Sequence, residues 1–372
     1  MSITAGYIAR IMEQIAPPHL AEEWDNCGWQ IGDPGAAVNK IMLALDVTQT
    51  VINEAEDAGV QMIISHHPMF LKGVKSIRRD SQAGGLVYRL INAGIGVYSA
   101  HTSLDSAQGG VNDILARALE LRSIEVLHPV ELDRLLKLVV FVPVEYADKV
   151  REVLGGAGAG WLGQYSHCTF NTIGTGTFLP REGAKPFIGT EGRLEQVEEI
   201  RIETVIKKAD LGQVLKAMFE VHPYEEVAYD LYPLENTVNS QGLGRIGLLP
   251  EVLPLTVLAR KVKSILGVGT VRMGGSGNEP IQKVAVCGGS GGDLWPLARQ
   301  KGAGVLVTGD VRYHAARDMQ EAGMNFIDAG HFATERPVLP GLKERLELAL
   351  QKAGLNVDIV VATSEAEPWE HV

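Results

Sequence analysis

The chain has 372 residues, 45% of them hydrophobic and 6% aromatic, which predicts a folded protein of two or three domains and excludes a disordered one. Its formal net charge is −11 and it contains no run of lysine or arginine, which argues against a nucleic-acid partner. It has no signal-peptide pattern, no apolar stretch of about eighteen residues, and only three widely spaced cysteines. We therefore expect a cytoplasmic protein without a membrane span.

The first third of the chain alternates predicted strands with predicted helices. Apolar runs bounded by glycine or polar turns predict buried strands at residues 40–48, 60–68 and 94–105. Between them, "QTVINEAEDAG" and "GGLVYRLINAG" have helical patterns that end at a glycine. Connections of this length between strands predict a largely parallel α/β sheet.

The middle of the chain, residues 130–237, has a different plan. Its pattern predicts the order strand, helix, strand, strand, helix, strand, which is that of an inserted ferredoxin-like α+β domain. Within it, "EVHPYEEVAYDLYPL" contains His222, Tyr224 and Glu225 ahead of a strand. A structural turn is the preferred interpretation of this stretch, and a small-ligand or second metal site is the alternative.

The last third repeats the plan of the first. Three further apolar runs predict strands within residues 283–293, 304–314 and 323–335, and each run ends in a polar tail. The order of elements matches that of the first third, although the spacings match only in part. The predicted fold class is therefore α/β: two related α/β halves with mixed sheets, residues 1–129 and 238–372, and the inserted α+β domain between them.

Histidines and carboxylates follow four of these predicted strands. In parallel α/β sheets, ligands bind beyond the carboxyl ends of the strands, so these side chains are expected at one edge. The set consists of His66, His67, His101, Asp105, Asp310, His314, His331 and Glu335. Their joint placement predicts a metal site.

The neighbours His66 and His67 favour two ions over one. Adjacent residues within a strand point to opposite faces, but Pro68 interrupts the strand, so the two imidazoles can face one cavity while diverging. Nitrogen and oxygen ligands without a thiolate suit zinc, iron or manganese.

The spacing of His331 and Glu335 is compatible with one face of a helix, because the two residues are four apart. However, Pro337 and Pro340 follow closely. They favour a regular helix that begins only near Glu335, with His331 in the preceding loop.

Structural roles remain open for several of these residues. Asp105 alone is compatible with a helix cap, and His101 with a core histidine or with a residue that orients a ligand. Asp310 and His314 are compatible with an exposed helical pair. The loop "CGGSGGD" (287–293) could hold an anion with backbone N–H groups or could be a tight turn. Cys27 has no identifiable activating partner, so a nucleophilic role has little support.

Six stretches together resemble the Nif-three-like dinuclear-metal proteins, a family also called GTP cyclohydrolase I type 2 homologues. They are "WDNCGWQIGD", "IISHHPMF", "SAHTSLD", "VAVCGGSGGDL", "LVTGDVRYHAARD" and "IDAGHFATE". The resemblance implies two divalent ions per subunit, with His66 and His67 on different ions. It implies Asp105, His331 and Glu335 as the other ligands, and Glu335 as the bridge. Ser103 departs from the asparagine of many members.

The resemblance also implies an assembly and a reaction. Family members form toroidal homohexamers, and residues 130–237 resemble the CutA/PII-like insert of the longer bacterial members, which suits a dimer of trimers. The implied activity is hydrolytic opening of the guanine ring of GTP or of a related substrate. Asp310 and His314 are then candidates for proton transfer or substrate orientation. The alternative is a metal-handling, metal-sensing or regulatory scaffold without turnover.

Overall fold

The computed structural model describes residues 3–130, 134–237 and 241–370. The contacts divide the chain into two compact units. The outer unit comprises residues 1–129 and 240–372, and the inner unit comprises residues 130–239. Every helix of the described residues is too short or too polar to span a bilayer.

The first segment of the outer unit alternates helices with short strands. Its strands are β1 (Gly28–Ile31), β2 (Lys40–Ala44), β3 (Met62–Ser65), β4 (Gly96–Ser99) and β5 (Arg122–Pro129). Its helices are α1 (Ala5–Ile15), α2 (Gln49–Asp57), α3 (Gln82–Ala93), α4 (Thr102–Ser106) and α5 (Val111–Ala118). Helix α3 ends at Gly94, whose φ of 67° closes it in the left-handed conformation.

The described residues of the inner unit form four strands and two α-helices. In chain order they are β6 (Arg134–Pro143), α6 (Ala147–Gly156), β7 (Thr169–Phe178), β8 (Glu195–Lys207), α7 (Leu211–Val221) and β9 (Tyr229–Thr237). The strands form one antiparallel sheet in the order β7-β8-β6-β9. Alternate residues of β6 and β8, such as Val140 and Ile202, are buried against Val214 and Met218 of α7.

The second segment of the outer unit returns to alternating strands and helices. Its strands are β10 (Gly242–Pro254), β11 (Arg272–Gly274), β12 (Pro280–Val286), β13 (Val305–Thr308), β14 (Asn325–Asp328) and β15 (Asp358–Val361). Its helices are α8 (Leu255–Leu266), α9 (Trp295–Gln300), α10 (Tyr313–Glu321), α11 (His331–Glu335) and α12 (Val338–Lys352).

The outer unit has two mixed sheets built to one scheme. Their strand orders are β1-β4-β3-β2-β15 and β11-β14-β13-β12-β10-β5. In each sheet three consecutive strands are parallel, and the strand that precedes them in the chain pairs antiparallel at the far edge. This confirms the predicted mixed α/β class. The two segments also exchange strands, because β15 joins the first sheet and β5 joins the second.

The strands that lead to the polar residues are shorter than predicted. Strand β3 ends at Ser65, so His66 and His67 already lie beyond the sheet. There the Ser65 hydroxyl donates a hydrogen bond to the carbonyl of His67, 2.8 Å away. The shorter strand places both imidazoles in the turn, where they can diverge.

The expectation that His331 lies in a loop was wrong. Helix α11 begins at His331, directly after Gly330, whose φ of 89° turns the chain into the helix. Pro337 lies between α11 and α12, where its missing N–H removes no helical hydrogen bond. His331 and Glu335 therefore do share one helical face.

Candidate metal centre

Two imidazoles project from the turn after β3, and each is held through its Nδ1 atom. His66 Nδ1 lies 3.1 Å from the carbonyl of Ala100, and His67 Nδ1 lies 2.9 Å from Oδ1 of Asp46. Because both partners can only accept at these contacts, the proton belongs on Nδ1. This fixes the ring orientations and directs each Nε2 into the cluster.

Two further imidazoles are held in the same way. His331 Nδ1 contacts Oδ2 of Asp310 at 2.8 Å, and His101 Nδ1 contacts Oδ1 of Asp25 at 2.9 Å. Four histidines thus converge with the same ring orientation. A carbonyl or carboxylate partner at the outer nitrogen is what metal-binding histidines almost always have.

The inner nitrogens meet around one buried carboxylate, Glu335. Its Oε1 lies 3.1 Å from His331 Nε2 and 3.5 Å from His66 Nε2, and its Oε2 lies 3.0 Å from His67 Nε2. Asp105 completes the cluster, with Oδ1 3.6 Å from His66 Nε2.

These side chains form three overlapping sets whose ligand atoms lie within 4.8 Å of one another. They are His66 with Asp105 and Glu335, His67 with His331 and Glu335, and His66 with His67 and His101. Glu335 belongs to two sets, so its two oxygens lie between two potential ion positions. The clusters could bind metal.

Three atoms of this cluster lack the partners that burial normally requires. While the imidazoles are neutral with their proton on Nδ1, His66 Nε2, Asp105 Oδ1 and Glu335 Oε2 are buried and have no hydrogen-bond partner among the described residues. A buried polar atom without a partner costs about 1–3 kcal/mol. These three residues offer ligand atoms within 4.8 Å of one another, which cations satisfy well, and nitrogen and oxygen donors suit divalent ions.

The ionisation of the cluster follows from burial and mutual contact. Burial acts to raise the pKa of Glu335, but the surrounding imidazoles lower it well below its ordinary value. Burial raises the pKa of Asp105. Burial acts to lower the pKa of His67, yet its hydrogen bonds to Asp46 and Glu335 raise it to about 10. Contact with Glu335 raises the pKa of His331 to about 9.

Metal binding is therefore expected to release protons and to tighten as the pH rises. With pKa values of about 10 for His67 and about 9 for His331, both imidazoles are protonated at neutral pH in chelator-treated protein. A cation must displace these protons, so apparent affinity should rise about tenfold per pH unit for each displaced proton. Titration calorimetry with Zn²⁺ in buffers of different ionisation enthalpy measures the release. Binding without proton release would contradict this assignment.

The structure brings together all five predicted ligands, His66, His67, Asp105, His331 and Glu335.

The two residues predicted to transfer protons lie in different places. Asp310 precedes α10 and contacts His331, so it is not half of an exposed helical pair with His314. His314 is exposed on α10 and packs against the ring of Tyr313; within the described ranges it makes no contact with the cluster.

Sequence reasoning missed two residues that contribute to the cluster, Asp46 and Asp25. His101 was included among the strand-end residues that predict a metal site, with a core or orienting role as the alternative. Asp46 lies two residues after the end of β2, so the strand-end rule used for the histidines could have found it. Asp25 lies 76 residues from His101 in the chain, and no local pattern connects them.

Cys27 does not have the surroundings of a nucleophile. Its thiol donates to Oδ2 of Asp25 at 3.0 Å, and burial raises its pKa.

Backbone N–H groups of the glycine loop at 287–293 already donate hydrogen bonds within the protein. The N–H groups of Gly288, Gly289 and Gly291 donate to side-chain oxygens at 2.9–3.0 Å. The acceptors are Asn112, Thr334 and Thr308. Three N–H groups committed in this way favour the tight-turn interpretation over an anion cradle.

Gly289 gives this loop its close approach to Glu335. Its φ is +64°, and a Cβ there would lie 2.3 Å from Glu335 Oε1 and 3.3 Å from His331 Nε2. Gly289→Ala should therefore displace Glu335. Displacing a ligand's surroundings typically lowers metal affinity, so we expect metal binding to weaken about tenfold or more. Gly292→Ala is the matched control, because a Cβ there meets nothing within 4 Å. Equal Zn²⁺ affinity of the two variants in competition with a chelating dye would contradict the prediction.

A cavity of about 650 Å³ opens onto the cluster. His67, His101, His331 and Glu335 line it, together with Trp24. Trp24 is 60% exposed and stands edge-on to the His101 ring, with centroids 5.9 Å apart. The volume is that of a small-molecule site.

Comparison with known proteins identifies the family. The Duf34/NIF3 (NGG1p interacting factor 3) family matches residues 3–368. The chain belongs to the Duf34/NIF3 family. Relatives from Halalkalibacterium halodurans and Bacillus subtilis, both named GTP cyclohydrolase 1 type 2 homolog, are each 45% identical. The first alignment covers 98% of both chains, and the second covers 99% of this chain and 98% of the relative.

Solved structures agree with this family assignment. The crystal structure of a Bacillus cereus protein related to NIF3 is 43% identical, covers 100% of both chains and has a TM-score of 0.80. The crystal structure of a Staphylococcus aureus protein is 30% identical, with a TM-score of 0.83 over 100% of this chain and 99% of that one. The resemblance that the sequence motifs indicated is thereby confirmed, and the cluster described above is that of a Duf34/NIF3 protein.

Proposed function

We propose that this Duf34/NIF3 protein is a dinuclear-metal-dependent hydrolase. One divalent ion would be held by His66, Asp105 and Glu335, and the other by His67, His331 and Glu335. Glu335 would thus bridge the two ions. The observation that carries the proposal is the buried set of polar atoms without partners at the centre of the cluster. Zinc, iron and manganese all accept such ligands.

The chemistry follows from a pair of cations beside an open cavity. Two divalent ions lower the pKa of water and so make hydroxide available near neutral pH. The chain itself supplies the orientation of the ligands: Asp46 and Asp310 hold the His67 and His331 rings through Nδ1. Asp310 therefore acts as a positioning residue in this proposal.

The substrate class is a purine nucleotide or a related heterocycle. Relatives named GTP cyclohydrolase 1 type 2 homolog support this class. The exposed Trp24 at the cavity edge offers a flat surface on which a heterocycle can stack. The proposed reaction is hydrolytic opening of the guanine ring of GTP with release of formate.

The test combines metal analysis with a turnover assay. Purified protein is loaded with Zn²⁺, Fe²⁺ or Mn²⁺, incubated with GTP and other phosphorylated heterocycles, and assayed for formate and for new products. We expect about two ions per chain and formate release that is lost in a His67→Ala/Glu335→Ala variant. Formate release retained by that variant would show a contaminant. Two bound ions without turnover of any compound would overturn the hydrolase and favour the metal-handling, metal-sensing or scaffold alternative.

We further propose that the inner unit is a ferredoxin-like domain of the PII/CutA kind and that the protein is a cytoplasmic homohexamer, a dimer of trimers. The element order and the strand order β7-β8-β6-β9 support the domain assignment. Free Cys27, Cys168 and Cys287 are compatible with a reducing compartment. Light scattering on the eluting protein tests the assembly, because a monomer or a dimer would contradict it.

A further inference from the structure

A second cavity lies within the inner unit, on the sheet face turned away from its helices. Alternate residues of β8 point to opposite faces, so Ile200 and Ile202 pack toward the helices while Glu199 and Arg201 do not. The cleft has a volume of about 560 Å³. Its walls are mostly apolar and include Phe178, Leu179, Phe187 and Ile188.

The floor of this cleft carries a buried carboxylate with one oxygen unused. Glu199 is 8% exposed, and its Oε1 accepts a hydrogen bond from the Tyr224 hydroxyl at 2.8 Å. Within the part of the chain that the structure describes, nothing donates a hydrogen bond to Oε2. Glycines on the adjacent strand β7 leave room for this group, because a Cβ at Gly176 would lie 2.2 Å from Oε2.

The stretch "HPYEE" holds this carboxylate in place. His222 is 7% exposed; its Nε2 donates to the carbonyl of Phe141 at 3.0 Å, and its Nδ1 accepts from the N–H of Tyr224 at 3.2 Å. The rings of His222 and Tyr224 stand edge to face, with centroids 5.2 Å apart. The histidine thus fixes the tyrosine, and the tyrosine fixes Glu199.

The charge of the cleft is negative. Glu199, Glu225 and Glu226 all line it, and among the described residues Arg201 is the one cation that does. The Arg201 guanidinium pairs with Glu203, 3.0 Å away, and so does not neutralise Glu199. An apolar cleft with a fixed, incompletely paired carboxylate at its floor is complementary to a cation on an apolar body.

We propose that this cleft binds a small organic cation, an amine or amidine carried on a flat apolar group. The N–H groups of the ligand pair with Glu199, one with the unused Oε2 and one with the second lone pair of Oε1, so a planar amidine can bind side by side with the carboxylate. The walls formed by Phe178 and Phe187 enclose the apolar body. Tyr224 and His222 are positioning residues, which gives the "HPYEE" stretch a role that the metal cluster does not use.

The test is binding of 4-aminobenzamidine to the full chain, compared with the neutral 4-aminobenzamide. We expect one saturable site for the amidine, followed by calorimetry, and about tenfold weaker binding of the amide, because it lacks the charge. Glu199→Gln should weaken amidine binding by about tenfold or more, and Tyr224→Phe by less. Glu198→Gln is the matched control, since Glu198 is exposed on the other face of β8.

The outcomes separate this cleft from the metal cluster. Glu335→Gln should leave amidine binding unchanged, so failure of the hydrolase proposal does not affect this one. Equal binding of amidine and amide, unchanged binding by Glu199→Gln, or no amidine binding at millimolar concentration would each overturn the proposal. A changed oligomeric state of Glu199→Gln without amidine binding would also overturn it, because a basic side chain of a second copy would then be the occupant. Circular dichroism checks that each variant is folded.

Discussion

Glu335→Gln is expected to remove most of the metal that we propose for this cluster. Glu335 is shared by the His66–Asp105 set and by the His67–His331 set, so its charge would serve both proposed ion positions. Glutamine keeps the size of the side chain but loses the negative charge that offsets two cations. Because removing a partner outside the ligand shell already costs about 10–100-fold in affinity, loss of this shared carboxylate should cost well over about 100-fold. Elemental analysis after gel filtration measures the bound metal.

A matched variant makes the result specific. Glu344→Gln changes the same charge on the neighbouring helix α12, at an exposed position outside the cluster, and should keep the native metal content. If Glu335→Gln also kept two ions per chain, Glu335 would not be the bridge. Loss of a single ion would assign Glu335 to one position only.

The ligand set could be predicted because it follows a rule of topology. Parallel strands end at one edge of their sheet, so residues that follow β3 lie at that edge of the first sheet and residues that follow β14 lie at that edge of the second, wherever they occur in the sequence. His66, His67 and His331 were found in this way. Helix α11 was missed because Pro337 and Pro340 were taken to mark the first turn of a helix that begins near Glu335, whereas Pro337 lies between two helices and disrupts neither.

The carboxylates that orient the histidines were harder to predict from the sequence. Asp25 and Asp310 hold histidines through contacts 76 and 21 residues apart in the chain, and such pairs have no periodicity. The exchange of β5 and β15 between the two sheets was not predicted for a related reason. The packing of whole sheets decides which sheet edge a terminal strand joins. The hydrophobic pattern of that strand indicates only that it is buried.

A buried ion pair between Arg245 and Asp113 lies next to residues that carry part of the cluster. Arg245 is 1% exposed and binds Asp113 through Nε at 2.7 Å and Nη2 at 2.9 Å. Its remaining N–H groups donate to the carbonyls of Gly242, Gly244 and Ala107. Next to Asp113, Asn112 donates to the carbonyl of the predicted ligand Asp105 at 2.9 Å. This pair therefore joins β10 to the helices that carry one side of the metal centre.

Arg245→Met should lower the free energy of unfolding by about 3–5 kcal/mol, because it leaves the Asp113 carboxylate buried without its partner. Urea denaturation measures the loss. Adding Asp113→Asn should recover part of it, since the charge is removed while an oxygen remains for the N–H of Gly109. Lys261→Met breaks an exposed pair with Glu120 and should cost less than about 1 kcal/mol. If Arg245→Met cost no more than Lys261→Met, the buried pair would not stabilise the outer unit.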